Sequence, residues 1–352
     1  MATQAIDQAK FEALFGKVLT NIGGALSLLM AYMGDRLGLY AALAKTTPAT
    51  SAEVAAAAGL DERYVREWLS ANAAAGYVDY DGERFILSPE AELIFAADGD
   101  PRCLQGFIEA VKSTYDDEAK STEAIRAGRG FSWGERSPCC FRGTDRFFRP
   151  GYAVNLVDSW LPALDGVTGK LAAGATVADI GCGHGSSTVL MAQAFPRSSF
   201  VGYDFHAPSI EAAQAKARET GVTNARFEVA TAKGFPGRDF DLACIFDALH
   251  DMGDPVGAAA HIRDALKPGG TLMLVEPLAG DSLTDNMHLL GQIFYGFSTV
   301  ACVPASKAQE VGLALGAQAG EKRLSTVLRE AGFASVRRAA ATDTNMVLEA
   351  RA

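Results

Sequence analysis

The chain has 352 residues, enough for two domains at about 100–200 residues each. Hydrophobic residues make up 49% of it, which excludes wholesale disorder. Its formal charge of −10 argues against general affinity for nucleic acid, whose phosphates such a surface repels.

The N-terminal stretch lacks a basic segment followed by an apolar core, so no secretory signal is expected. Phe11, Leu14, Phe15, Val18, Leu19 and Ile22 recur at steps of three and four and predict an amphipathic helix. A second helical run carries Leu26, Leu29, Met30 and Met33 and ends near Gly38. The most apolar stretch, Val18 to Met33, falls short of about 20 residues and includes Thr20 and Asn21. It is read as a core or interface helix, not a membrane span. Thr50 and Glu53 offer a capping box before a helix that stops at Gly59. Asp61 caps the next helix, which ends at Gly76. Two short apolar runs around Asp81-Gly82 then predict a hairpin. Helix, turn, helix, hairpin is the layout of a winged helix.

Residues 101–150 are punctuated by glycine and proline but rich in aromatics, so they read as an ordered connector. From about residue 175, strands and helices alternate. Strands are expected at Thr176–Ile180, Phe200–Asp204, Arg226–Val229, Phe240–Phe246 and Thr271–Glu276. Two more, near Ser335–Arg338 and Met346–Glu349, would close the sheet as a hairpin. The succession predicts an α/β fold with a doubly wound, mostly parallel seven-stranded sheet. The domains expected are 1–150, helical winged helix with connector, and 151–352, the α/β domain.

The six cysteines show no C-x-x-C spacing, the five histidines form no ligand cluster, and no metal site is expected. Nothing in them calls for an oxidising compartment, and a cytoplasmic protein is expected.

The run Val177-Ala-Asp179-Ile-Gly181-Cys182-Gly183-His-Gly185 sits where a strand turns into a helix. Glycines there let a ligand approach the backbone, and the helix start supplies free N–H groups. A dinucleotide site would read G-x-G-x-x-G; here position 186 is Ser. Asp179 stands two residues before the first glycine, where a carboxylate opposes a pyrophosphate but suits an ammonium or sulfonium cation. The order D-x-G-x-G-x-G therefore favours S-adenosylmethionine over NAD. Asp204 ends the next strand 19 residues after Gly185, near the roughly 20-residue offset of an acid that grips ribose hydroxyls.

On these residues, the stretch 151–352 resembles the class I S-adenosylmethionine-dependent methyltransferases. The resemblance implies that Asp179, Gly181, Cys182 and Gly183 hold the methionine end and that Asp204 and Phe205 hold the ribose. Many members carry an acid for adenine after the third strand; this chain has Ala230-Thr231-Ala232, so backbone groups of Thr231 and Ala232 would serve instead. Phe246 and Asp247 occupy the position that lines the methionine moiety.

Leu249-His250-Asp251-Met252-Gly253-Asp254 follows the fourth strand at the sheet's carboxyl edge. Histidine is the side chain best matched to proton transfer near neutrality. The string is similar to the L-H-D-W-x-D motif of small-molecule O-methyltransferases, with Met252 in place of Trp. The likeness implies His250 as general base, with Glu276 after the fifth strand orienting it. Residues 279–320 are expected to form a partly apolar lid, with Phe294 and Tyr295 in the acceptor pocket beside Phe148 and Tyr152 from the connector. An apolar or aromatic hydroxylated acceptor would follow. Residues 1–90 carry 7 Lys and Arg against 11 Asp and Glu, an unfavourable balance for DNA. In the winged-helix O-methyltransferases that the chain resembles, this module dimerises and roofs the acceptor pocket, and the resemblance implies a homodimer and a roof here. An S-adenosylmethionine sensor without turnover, possibly DNA-associated, is the alternative of a different class.

Overall fold

A computed structural model describes residues 6–352. They divide into two compact units, up to Lys112 and from Ser113 onward. The break falls before the expected boundary at residue 150, because the connector is helical and packs within the second unit.

In the first unit α1 runs from Gln8 to Arg36, with the Asp7 side chain accepting from Lys10 N. One helix replaces the two expected. Gly23 and Gly24 lie inside it, and a glycine costs an exposed helix only about 1 kcal/mol. Its apolar stripe, Phe11 through Met33, is exposed rather than core. α1 is long and apolar enough to cross a membrane by length and composition, as is the helical run Leu289–Lys307, which is partly buried. α2 (Leu39–Thr46) follows. α3 (Ser51–Ala58) begins with the predicted Thr50–Glu53 capping box, and α4 (Glu62–Ala74) with the Asp61 cap. The core of this unit ties α1 and α2 to α4: the Trp68 indole donates to Met30 O at 2.8 Å, and the Tyr40 hydroxyl to Asn72 Oδ1 at 2.7 Å. The hairpin is short, β1 (Asp79–Tyr80) with β2 (Phe85–Ile86), before α5 (Pro89–Phe95). α6 (Gln105–Asp116) carries the chain across the boundary.

The second unit opens with α7 (Glu118–Ala127) and α8 (Pro138–Asn155). Glycine and proline disguised α8 in the sequence. Pro138 sits in the first turn of α8, where no N–H bond is lost, and Pro150 is accommodated near its end. α9 (Val167–Ala173) leads into the sheet. Its elements are β3 (Thr176–Ile180), α10 (Ser186–Ala194), β4 (Ser199–Asp204), α11 (Ala207–Glu219), β5 (Ala225–Val229), β6 (Phe240–Phe246), α12 (Pro255–Ala265) and β7 (Leu266–Pro277). α13 (Leu289–Phe297), α14 (Val303–Lys307) and α15 (Gly320–Glu330) precede β8 (Ser335–Ala341) and β9 (Asn345–Arg351).

The strand order is β5-β4-β3-β6-β7-β9-β8. The first five strands are parallel, and β9 pairs antiparallel with both β7 and β8. This is the predicted doubly wound seven-stranded sheet. β7 starts five residues earlier than expected, with Leu266 pairing Phe240 across an irregular register. Successive side chains of β6 and β7 enter apolar cores on opposite faces of the sheet, so both faces are covered. The order reverses between β3 and β4 on one side and β6 on the other. In such sheets the crevice beyond the strands' carboxyl ends, at that reversal, is where ligands bind.

Candidate active site

The turn from β3 into α10 is fixed by backbone bonds: Gly181 N and Cys182 N donate to Tyr203 O at 2.8 and 3.0 Å. Gly185 takes φ +74°, and a Cβ there would come within 2.7 Å of the Phe227 ring and 2.8 Å of Ala213. Close packing of this turn against α11 and β5 thus requires glycine. Gly183 takes φ +51° with open space on its side-chain face. Its N–H donates to the Asp204 carboxylate at 3.0 Å, and His206 N donates to the other oxygen at 2.8 Å. Burial raises the Asp204 pKa, and these two N–H bonds oppose the rise.

A cavity of about 320 Å³ opens over this turn. Gly181, Cys182 and Gly183 form its floor, with Asp204, Phe205, Thr231 and Ala232 on one flank. Phe246, Asp247, Phe148 and Tyr152 form the other flank. Asp247 has φ +50°, an uncommon conformation for a non-glycine residue. Its carboxylate accepts from the Tyr152 hydroxyl at 3.0 Å and from Asn345 Nδ2 at 2.7 Å. Burial, then the nearby Glu276 charge, pushes its pKa up to about 7, against the opposing effect of His250. The Tyr152 ring lies 5.3 Å from Phe246 and stacks on Phe148 at 5.8 Å. The flank beside Asp247 is therefore apolar and aromatic.

Several expected residues lie elsewhere. Asp179 is buried behind the cavity wall rather than lining it. Its Oδ2 accepts from the Ser187 and Thr188 hydroxyls, each at 2.6 Å, clamping β3 to the start of α10. Burial raises its pKa to about 6. Phe294 and Tyr295 do not line the cavity either; Phe294 packs against Ala301, Cys302 and Ala317. An apolar helical spacing cannot show which neighbour the helix will face.

The cavity also has walls that the sequence did not reveal. Trp133, Phe141 and Asp145 come from the connector and α8. Phe141 stacks on His206 at 4.6 Å and meets Trp133 edge-on at 5.7 Å. Asp145 accepts from Ser186 Oγ at 2.5 Å and from Lys216 Nζ at 2.9 Å, joining α8 to α10 and α11. The aromatic excess of the connector was the available signal.

His250 and Glu276 meet behind the cavity wall. The short turn after β6 brings His250 Nδ1 to 2.5 Å from Glu276 Oε2, while Glu276 Oε1 accepts from Leu249 N at 2.9 Å. Both side chains are buried. Burial alone would depress the His250 pKa, but Glu276, Asp251 and Cys302 outweigh it and hold the pKa well above the usual histidine value. Nδ1 shares its proton with Glu276, and Nε2 lies on the other side of the ring, 3.4 Å from Asp251 Oδ1. Asp251 lines the cavity. The sequence held no cluster of metal-binding spacing, yet the fold brings His250, Asp251 and Cys302 together, their ligand atoms all within 4.8 Å of one another.

These residues fit a nucleoside with a cationic tail. An acid braced by N–H groups closes one strand end, a bare glycine backbone lies between, and a second acid stands at the aromatic end.

Residues 171–332 match the family described as "Methyltransferase domain", and residues 24–94 the "Rv2258c-like winged HTH domain". Trans-aconitate 2-methyltransferase of Deinococcus radiodurans is 36% identical over 107 residues, 30% of this chain and 40% of that protein. The chain thus spans less than half the length of that curated relative. The mitomycin 7-O-methyltransferase structure superposes with a TM-score of 0.73 at 19% identity, over 98% of this chain and 100% of that one. Human N-acetylserotonin methyltransferase, solved with S-adenosylmethionine, does so with a TM-score of 0.70 at 17% identity, over 100% and 99%.

Proposed function

From a chain that carries a methyltransferase domain and a winged HTH domain, we propose an S-adenosylmethionine-dependent O-methyltransferase acting on a small, apolar or aromatic hydroxylated molecule. One observation carries this reading: a single cavity joins the glycine turn and Asp204 to an aromatic flank, with a buried His–Glu pair behind its wall. When bound, S-adenosylmethionine supplies a methyl group on a positively charged sulfur.

The chain's part is to bind, align and move one proton. Asp204, held by Gly183 and His206, offers its remaining lone pairs to ribose hydroxyls. Asp247, held by Tyr152 and Asn345, places negative charge where the cofactor's cation belongs. Phe148, Tyr152 and Phe246 give the acceptor an apolar wall, and alignment of the two substrates supplies most of the acceleration. Glu276 fixes the His250 tautomer, so Nε2 is the atom that receives the hydroxyl proton, with cavity-lining Asp251 on the path. The raised pKa makes the neutral imidazole a stronger base but the minority form near neutral pH, so turnover is expected to rise with pH.

The exposed apolar stripe of α1 supports a homodimer, since an uncovered face of that length is a recognised interaction surface. Nucleic acid is disfavoured as its partner: on α4, Arg63 and Arg66 are paired with Glu67 and Glu62. Nothing in the spacing of the six cysteines calls for an oxidising compartment, which favours a cytoplasmic setting. Titration calorimetry with S-adenosylmethionine and with NAD tests the cofactor. Binding of NAD alone would overturn the reading. A screen of phenols and other hydroxylated metabolites for methyl transfer then tests turnover; cofactor binding without any turnover would favour a sensor.

A further inference from the structure

We propose that His250, Asp251 and Cys302 form a binding site for one zinc ion at the edge of the cavity, and that zinc there withdraws His250 from proton transfer. The second half rests on the methyl-transfer reading above; the first does not.

His250 and Asp251 are neighbours on the turn after β6, and Cys302 joins them from about 50 residues further along the chain. Cys302 ends the wide helical turn Ser298–Cys302, which α14 continues. Such π-type turns occur frequently at functional sites. His250 and Cys302 are buried, and Asp251 is half-buried. The ligand atoms of all three lie within 4.8 Å of one another, and His250 Nε2 stands 3.4 Å from Asp251 Oδ1. That Asp251 oxygen is buried and accepts no well-formed hydrogen bond, so among the described residues its charge is met only by His250 and Cys302, the two other ligands. A cation bound among the three would satisfy it more fully.

The donor set selects the metal. One imidazole nitrogen, one carboxylate oxygen and one thiolate sulfur suit Zn²⁺, whereas Mg²⁺ prefers oxygen ligands in an octahedron. Three protein ligands leave a tetrahedral zinc with one position for water, and Asp251 already borders the cavity from which that water would come. Glu276 completes the arrangement. Its bond to Nδ1 is the carboxylate–histidine contact that orients a zinc-bound imidazole and leaves Nε2 for the metal.

The bonding balances without a redox step. Zinc gains bonds from Nε2, the Asp251 oxygen and the Cys302 sulfur. The Cys302 thiol proton, and any proton on Nε2, leaves to solvent. The Nε2 lone pair is then committed to the metal and cannot accept a proton from a hydroxyl.

The test uses the full chain freed of metal by chelator and dialysis. Zinc alone is titrated, and one equivalent is expected to bind. Cys302→Ser and Asp251→Asn should each lower the affinity at least tenfold. Cobalt(II) in place of zinc should give a thiolate-to-metal charge-transfer band that Cys302→Ser abolishes. Melting curves establish that each variant is folded, and Cys302→Ala replaces any that is not. No stoichiometric binding, or binding and band that survive both substitutions, would overturn the site. With a methyl acceptor in hand, one equivalent of zinc should suppress turnover, chelator should restore it, and the rate of Cys302→Ser should be insensitive to zinc. Zinc that binds at the site yet leaves or raises the rate overturns the inhibitory half alone. Zinc that binds to a chain with no methyl transfer leaves the site standing while the function proposed above fails.

Discussion

The two flanks of the cavity are built by different means. On the β4 flank, Asp204, Gly183 and His206 lie within 24 residues of one another, and each recognition group is a backbone amide or the acid it braces. On the β6 flank, Asp247 is held by Tyr152 and Asn345, separated from it by 95 and 98 positions. His250 there meets Glu276 from the next strand and Cys302 from beyond α13. The first flank is a local motif that any chain with this turn can carry. The second is an assembly of distant side chains, and it is where the chemistry peculiar to this protein belongs.

Substitutions can separate these flanks. The largest effect is expected on the β6 side: His250→Ala should lower turnover of an identified acceptor by about 10²–10⁴-fold, the usual worth of a positioned base. Calorimetry should show cofactor affinity within about threefold of the parent; a matching loss of affinity would mean that His250 belongs to the cofactor site and is not a base alone. Next comes Asp204→Ala, which removes the ribose acceptor and orphans two amides. It should weaken S-adenosylmethionine binding about 100-fold, and a loss under about threefold would break the assignment of the β4 flank.

A smaller effect is expected from pH. Asp247 titrates near 7 in the free protein, and a cationic ligand favours its ionised form. Affinity for S-adenosylmethionine should therefore rise several-fold from pH 6 to 8, whereas S-adenosylhomocysteine, which lacks the sulfonium charge, should change little. Equal profiles for the two ligands would remove Asp247 from the cation site.

The smallest effect concerns Asp179. Its folded pKa of about 6 lies above the unfolded value, so the native state binds the proton more tightly than the unfolded chain. Its burial therefore opposes folding above about pH 6, and that cost fades as pH falls toward 4. Relative to Asp179→Asn, the parent should lose about 1–2 kcal/mol of stability between pH 4.5 and 7.5, by chemical denaturation at each pH. A difference independent of pH would show that the group is already ionised without cost.

The order of strands and helices in the second unit was legible because its signals are short-range. Apolar runs of strand length alternate with capped helices, and Asp179, the glycines and Asp204 mark one strand-to-helix turn. The position of Asp204 was also legible, since a strand end two elements along is fixed by the fold. α1 was less so: Gly23 and Gly24 look like a break, yet the helix continues through them. α8 was hidden because Pro138 and Pro150 read as loop signals when they occupy tolerated helix positions.

By itself, the sequence determined the doubly wound sheet, the glycine turn and the pairing of His250 with Glu276 as candidates on adjacent strand ends. Only the tertiary structure decided which side chains reach the cavity. It turned Asp179 inward onto Ser187 and Thr188, left Phe294 among apolar neighbours, and brought Trp133, Phe141 and Asp145 from the connector into the wall. It also set Cys302 beside His250 and Asp251. Local spacing fixes which way a strand or helix runs; the facing of a side chain depends on partners tens of residues away, whose positions exist only once the layers have packed.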